Sequence, residues 1–237
     1  MGAAASIRVD GTDFSSFEGG PDKLREKLRE KRGQVQVCLS KVEEYRKDGG
    51  DDKVTRRDVL PDGTTIEAWA DGSKYQINPD GTRLVTYADK KSLKSANDTH
   101  LLSDPEGNFI QINTTDTIEK RVDGTQIQLT SGENLLLAQL PNGTSLQFDF
   151  NKRVGIEINA DGSLYQKDLN SGQIVSKSAD GVSVTTFPNG VTITSYPDGR
   201  QVQFSPDGGV TLETRPDGSR LQTNADGTTI EFTVDGE

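Results

Sequence analysis

The sequence predicts a mainly β chain: an extended single-layer antiparallel β-meander of nine-residue repeats, with one N-terminal α-helix. Three observations carry this reading. Asp-Gly occurs thirteen times and Asn-Gly twice in 237 residues, pairs that favour tight turns. The glycines of these pairs keep register: Gly63, Gly72 and Gly81 stand nine apart, as do Gly181, Gly190, Gly199 and Gly208. After one inserted residue, Gly209, the spacing resumes at Gly218, Gly227 and Gly236. Finally, only 31% of the chain is hydrophobic, too little for an ordinary packed core. Disorder would explain the composition but not the constant spacing, which marks a repeat architecture.

Between the turns lie segments such as TTIEAW, SKYQIN, VTITSY and TTIEFT, which alternate small polar with β-branched or aromatic residues, a strand signal of period two. Nine residues per strand and turn leave no room for a crossover helix, so successive strands run antiparallel. About eighteen strands are expected between about Val54 and Val234. The stretch 89–100 breaks the repeat and the turns from Pro105 to Asp161 are unevenly spaced, so a bend or subdivision is expected near 89–106.

Seven turns place proline before the Asp-Gly or Asn-Gly pair, at Pro61, Pro79, Pro141, Pro188, Pro197, Pro206 and Pro216. In a two-residue hairpin the residue before the pair donates a backbone N–H, which proline lacks. A three-residue Pro-Asp-Gly loop removes the conflict, with proline fixing φ and glycine entering the left-handed region as a bulge. Six residues then remain per strand, an even number, so the apolar third position changes face on successive strands. Such a sheet is wetted on both faces and held by its ladder and cross-strand pairs. Two-residue turns would instead gather Ile66, Tyr75, Leu84, Val184, Ile193 and Val202 on one face and demand a second layer. The turns written Ala-Asp-Gly fit either arrangement.

Upstream, residues 21–47 (PDKLREKLREKRGQVQVCLSKVEEYRK) are charged and helix-favouring. Leu24, Leu28, Val35, Cys38, Val42 and Tyr45 fall on the a and d positions of one heptad frame, with Lys31 the exception. This segment is either a short coiled coil that joins a second subunit or a solvated amphipathic helix lying against the end of the sheet. The expected organisation is a flexible leader over 1–20, the helix over 21–47, a hinge over 48–56 and the repeat sheet over 57–237.

The repeats Phe187-Pro188-Asn189-Gly190, Tyr196-Pro197-Asp198-Gly199 and Phe204-Ser205-Pro206-Asp207-Gly208 resemble the T-complex protein 10 C-terminal repeat, or G-box, over about residues 57–236. The helical segment ahead of it is similar to the coiled coil that precedes the G-box in a centriolar scaffold of that family. The resemblance implies a free-standing antiparallel sheet that binds an extended, proline-containing segment of a centriole-assembly protein and self-associates. It implies no enzyme activity. The chain departs from the family in its irregular middle.

Other functional classes find little support in the residues. A net charge of −10 gives no basic stripe for nucleic acid. No run approaches eighteen apolar residues, and the start lacks the basic and apolar regions of an export signal. One cysteine suits a reducing compartment, so a cytoplasmic setting is expected, with the centriole, cilium or cytoskeleton suggested by the resemblance. His100 is the chain's one histidine, and neither a zinc-ligand cluster nor a hydrolase or nucleotide-binding signature is present, so no catalytic, metal or cofactor residue is expected. The calcium-binding nonapeptide repeat needs further glycines around each aspartate, which leaves a secreted calcium-binding β-roll as a minor alternative. The sequons beginning at Asn97, Asn113 and Asn142 read as turn sequences. Met1-Gly2-Ala3-Ala4-Ala5-Ser6 matches the myristoylation pattern, so an alternative is a membrane-associated adaptor acylated at Gly2.

The aromatics Trp69, Tyr87, Phe187, Tyr196, Phe204 and Phe232 fall on the expected strands, and a sheet without a second layer leaves their surfaces accessible. They are the candidate partner-binding residues, on the principle that rigidly backed aromatics anchor extended peptides. The expected function is a non-enzymatic scaffold of a microtubule-based assembly, binding protein partners on its sheet and self-associating through its helix or sheet edges.

Overall fold

The computed structural model describes residues 8–9, 12–13, 19–47, 53–130, 132 and 134–234, the side chains at 8–9, 12–13 and 45–47 excepted. The chain divides into two compact units between Pro141 and Asn142. The first holds a short hairpin (Arg8–Val9 with Thr12–Asp13), the helix Gly20–Lys47 and ten strands from Val54–Val59 to Leu135–Gln139. The second holds ten strands from Ser145–Asp149 to Thr229–Phe232. Within each unit every strand pairs antiparallel with the next in the chain. The stretch where a bend was expected, 89–106, contains the paired strands Ser92–Ala96 and Thr99–Ser103.

The turn chemistry follows the three-residue arithmetic. At Asn78-Pro79-Asp80-Gly81-Thr82, Gly81 N–H donates to Asn78 C=O at 3.0 Å and Asn78 N–H donates to Thr82 C=O at 2.9 Å, closing a type of hairpin in which three residues form the loop. The Ala-Asp-Gly turns take the same form: Gly72 N–H donates to Trp69 C=O and Trp69 N–H to Ser73 C=O. In both loops the aspartate side chain accepts the N–H two residues on, Asp80 from Thr82 and Asp71 from Ser73, each at 2.8 Å. Such bonds to the ionised form hold the carboxyls of Asp80 and Asp226 below the ordinary carboxylate value.

Proline has a second role that composition does not reveal. A Cβ placed on Gly190, whose φ is +83°, would meet Pro206 Cγ at 3.0 Å, and one on Gly172 would meet Pro188 Cγ at 3.1 Å. Alternate turns lie at the same end of the strands, so the proline of one turn packs on the bare glycine of the turn two strands earlier. Gly181 with Pro197 and Gly63 with Pro79 repeat the contact.

Six residues per strand produce the predicted change of face. In the second unit one face carries, on successive strands, Gln147, Ile156, Gln166, Val175, Thr185, Ile193, Gln203, Leu212, Gln222 and Ile230. The opposite face carries Leu146, Glu157, Tyr165, Ser176, Val184, Thr194, Val202, Glu213, Leu221 and Glu231. Apolar and polar residues alternate from strand to strand on both, so neither row is continuous oil. Every residue of the strands Ser183–Thr186, Thr192–Ser195 and Val210–Thr214 is half-buried, the signature of a sheet wetted on both sides.

The first unit departs from that pattern on one face. There the row reads Glu67, Tyr75, Val85, Leu93, Leu102, Ile110, Glu119, Ile127, with five apolar residues in succession. The opposite face alternates as in the second unit, through Ile66, Gln76, Leu84, Lys94, Leu101 and Gln111. The apolar row is the seat of the helix. Val35 and Val42 pack in one cluster with Trp69, Tyr75, Val85, Leu93 and Ile112, with Cys38 and Leu39 against its margin. The expectation of a sheet wetted on both faces is therefore corrected for the first unit, where the helix supplies a second layer on one side. The physical reason is that Val85 and Leu102 stand where Gln203 and Gln222 stand in the second unit, and covering an unbroken apolar row removes it favourably from water.

Candidate docking surface

The six candidate aromatics separate into two groups. Trp69, 7% exposed, stacks on Tyr75 with ring centroids 5.5 Å apart, and both lie in the cluster under the helix. Tyr87 packs against the margin of that cluster, and burial together with the neighbouring Cys38 raises the pKa of its hydroxyl. Neither offers a free ring face. The reason is the register: Trp69 and Tyr87 fall on the face that carries the continuous apolar row.

The other four stand on the second unit. Tyr196 and Phe204 belong to one face, Phe187 and Phe232 to the other. Phe204 is 41% exposed and pairs across the strands with Thr192 on one side and Thr211 on the other. Thr186, Thr223 and Thr229 continue that row, so the phenyl ring rises from a strip of small hydroxyl-bearing side chains. At the other end of the same strand pair the guanidinium of Arg200 lies 3.7 Å from the Tyr196 ring centroid and 3.9 Å from Glu213. On the opposite face Phe232 is 47% and Ile230 46% exposed, and Phe187 is half-buried. Strand pairing fixes the height and spacing of these side chains, and the threonines leave the Phe204 ring standing clear. Such a surface offers apolar anchors and hydroxyl partners to an extended chain laid over it.

The helix residues singled out for association have intramolecular places. Leu24, Leu28 and Val35 are fully buried, Val42 is 8% exposed and Cys38 half-buried. The heptad face is thus used within the chain. The Tyr45 side chain and Gly2 lie outside the described residues. His100 Nδ1 lies 3.0 Å from Ser95 Oγ on the neighbouring strand. Among the described residues no group of three potential metal ligands occurs, and no helix is long and apolar enough to cross a membrane.

Four further residues matter that the sequence reading did not single out as a site. Lys31 Nζ lies 2.6 Å from Glu119 Oε1, and that same oxygen is 2.7 Å from Arg121 Nε. Arg32 donates to the carbonyls of Asn113 (2.7 Å) and Asp116 (3.0 Å) and to Thr117 Oγ1 (3.0 Å). The one charged residue in the helix seam therefore meets a carboxylate in the row that seats the helix. Lys31 as an exception to the heptad was the available signal, together with the apolar doublets Leu84-Val85 and Leu101-Leu102.

Neither a protein-family model nor a curated protein matches the chain. Solved structures do. A point mutant of the TCP10 domain of Danio rerio CPAP is 25% identical, over 69% of this chain and 95% of that one, with a TM-score of 0.56. The wild-type domain is 23% identical over 74% of this chain and 97% of that one, with a TM-score of 0.53. A third structure is that domain in complex with a peptide of Danio rerio STIL, at 19% identity over 74% and 96% of the two chains and a TM-score of 0.38. The chain has the TCP10 (G-box) fold, the family that its Pro-Asp/Asn-Gly repeats resemble.

Proposed function

We propose that this protein is a non-enzymatic scaffold whose second meander docks an extended segment of a partner protein, within a centriolar or other microtubule-based assembly. The observation that carries the reading is the half-exposure of both faces along the strands Ser183–Thr186, Thr192–Ser195 and Val210–Thr214 of that meander, with Tyr196, Phe204, Phe187 and Phe232 standing on it. A sheet held by its ladder needs no aromatics for a core. Exposed rings on a rigid backing lose little conformational freedom when covered. The fold likeness to the CPAP domain supports the assembly setting, and that domain's structure with a STIL peptide supports an extended peptide as the occupant.

Two paired variants in cells test this. A fluorescently tagged chain should concentrate at centrioles or basal bodies. Either Tyr196→Ala with Phe204→Ala or Phe187→Ala with Phe232→Ala should release it, according to which face is used, with the purified variants keeping the wild-type circular dichroism spectrum. A uniform cellular distribution, or localisation indifferent to both pairs, would overturn the proposal.

A further inference from the structure

We infer that the helix is a releasable strap over one face of the first meander, with Lys31 and Arg32 as its latch. The first support comes from within the chain. The second meander has the same turns and the same six-residue register, and its strands Ser183–Thr186 and Thr192–Ser195 form their ladders with both faces half-exposed. A sheet of this kind does not need a helical layer to pair.

The fit of the helix is also incomplete. A cavity of about 430 Å³ opens beside Lys31 and Gln34 over Leu102 and Ile110, and one of about 300 Å³ opens beside Leu39, Val42 and Glu43 over Tyr75 and Leu93. Leu102 and Ile110 belong to the apolar row yet stay half-buried. A layer that leaves such gaps forgoes packing contacts that a permanent core layer makes.

The latch itself is built for release. Arg32 meets acceptors that the sheet holds in place with or without it: Asn113 Oδ1 accepts the N–H groups of Thr115 and Asp116 in its own turn. Glu119, whose side chain is 7% exposed, is bonded to Arg121 as well as to Lys31. When Lys31 leaves, the carboxylate keeps a cationic partner and is not stranded as a lone buried charge. Directly after the latch comes Gly33, a weak point in any helix, with open space where its Cβ would be. Release uncovers Tyr75, Val85, Leu93, Leu102 and Ile110 together with Trp69 and Tyr87. The strap would then control whether those two aromatics join the docking surface, a consequence that rests on the docking reading above; the release itself does not.

Hydrogen–deuterium exchange of the full chain, with no partner added, tests the strap. In the double variant Lys31→Gln, Arg32→Gln, amides of the helix should exchange at least about tenfold faster, because hydrogen bonds to charged groups are lost. Gly33→Ala should slow them about fivefold, the worth of one glycine in a helix interior. Amides of the strands Lys74–Ile77, Ser92–Ala96 and Phe109–Ile112 should keep wild-type protection in both. Fluorescence of Trp69, the single tryptophan, should move to longer wavelength in the latch variant. Strands losing protection together with the helix would overturn the inference, because helix and sheet would then open as one unit. Helix exchange unchanged in both variants would overturn it too.

Discussion

The two meanders share turns, register and strand length, yet the helix covers one face of the first, while the second has no buried strand residue from Leu164–Asp168 onward. The difference rests on a few side chains that stand, in one row across the sheet, at one position on every second strand. In the second meander that position holds Thr185, Gln203 and Gln222, which interrupt the aliphatic row. In the first it holds Val85 and Leu102, which join Tyr75, Leu93 and Ile110 into one surface. A repeat sheet of this kind sits near a threshold: polar residues at alternate strands keep it single-layered, and two aliphatic replacements recruit a lid.

The comparison can be broken most forcefully at Leu93, 2% exposed under the helix. Leu93→Ala should cost about 2–5 kcal/mol in chemical denaturation, the range for a leucine deleted from a packed interior. Ile193→Ala, on a half-exposed strand of the second meander, should cost about 1 kcal/mol. Equal losses would mean that both meanders have a buried layer.

A converse experiment gives the second meander the first one's pattern. Replacing Gln203 and Gln222 with valine joins Ile193, Leu212 and Ile230 into a continuous strip with no helix to cover it. The double variant should self-associate, visible as concentration-dependent light scattering, whereas Val85→Thr should leave the chain's association state unchanged and loosen the helix.

Turns give a finer comparison. Gly190 and Gly227 share a left-handed backbone, φ +83° and +84°, but Gly190 lies under Pro206 while nothing lies within 4 Å of a Cβ on Gly227. Gly227→Ala should cost about 1–2 kcal/mol for the backbone alone. Gly190→Ala should cost measurably more, and the excess should shrink when Pro206 is replaced by alanine. Identical costs would show that the proline contact contributes nothing.

The smallest effect concerns pH. Asp226 accepts hydrogen bonds from the Thr228 hydroxyl and backbone N–H, which lower its pKa in the folded chain. Its contribution is present above the unfolded carboxylate value near 3.8 and is lost as pH falls through the lower folded value. Asp226→Asn should remove that part of the acid dependence, seen as a slightly shallower decline of Tm on acidification. The Asn189 turn, which caps Val191 N–H with a neutral amide, should lack it from the outset.

Much of the fold is legible along the chain because its signals are local. The proline in Asn78-Pro79-Asp80-Gly81 excludes the two-residue hairpin, and that exclusion sets six residues per strand and the alternation of faces. The helix is legible for the same reason, from the spacing of Leu24, Leu28, Val35 and Val42. What those residues bury against is not local. A heptad pattern fits a partner helix and an apolar strip of sheet equally, and choosing between them requires knowing that Val85 pairs with Leu93 and Leu93 with Leu102. The same holds for Trp69 and Tyr87: their strands are readable, but the face they share with the helix follows from pairing.

By itself the sequence determined the strand period, the three-residue form of the Pro-Asp-Gly turns and the position of the helix, because each depends on backbone preferences within a few residues. Tertiary structure alone decided which face is covered, that Lys31 meets Glu119 across 88 positions, and that Pro79, Pro188, Pro197, Pro206 and Pro216 each rest on a glycine two strands away. Those outcomes depend on which distant side chains the ladder brings opposite one another, and a ladder adds up its register strand by strand.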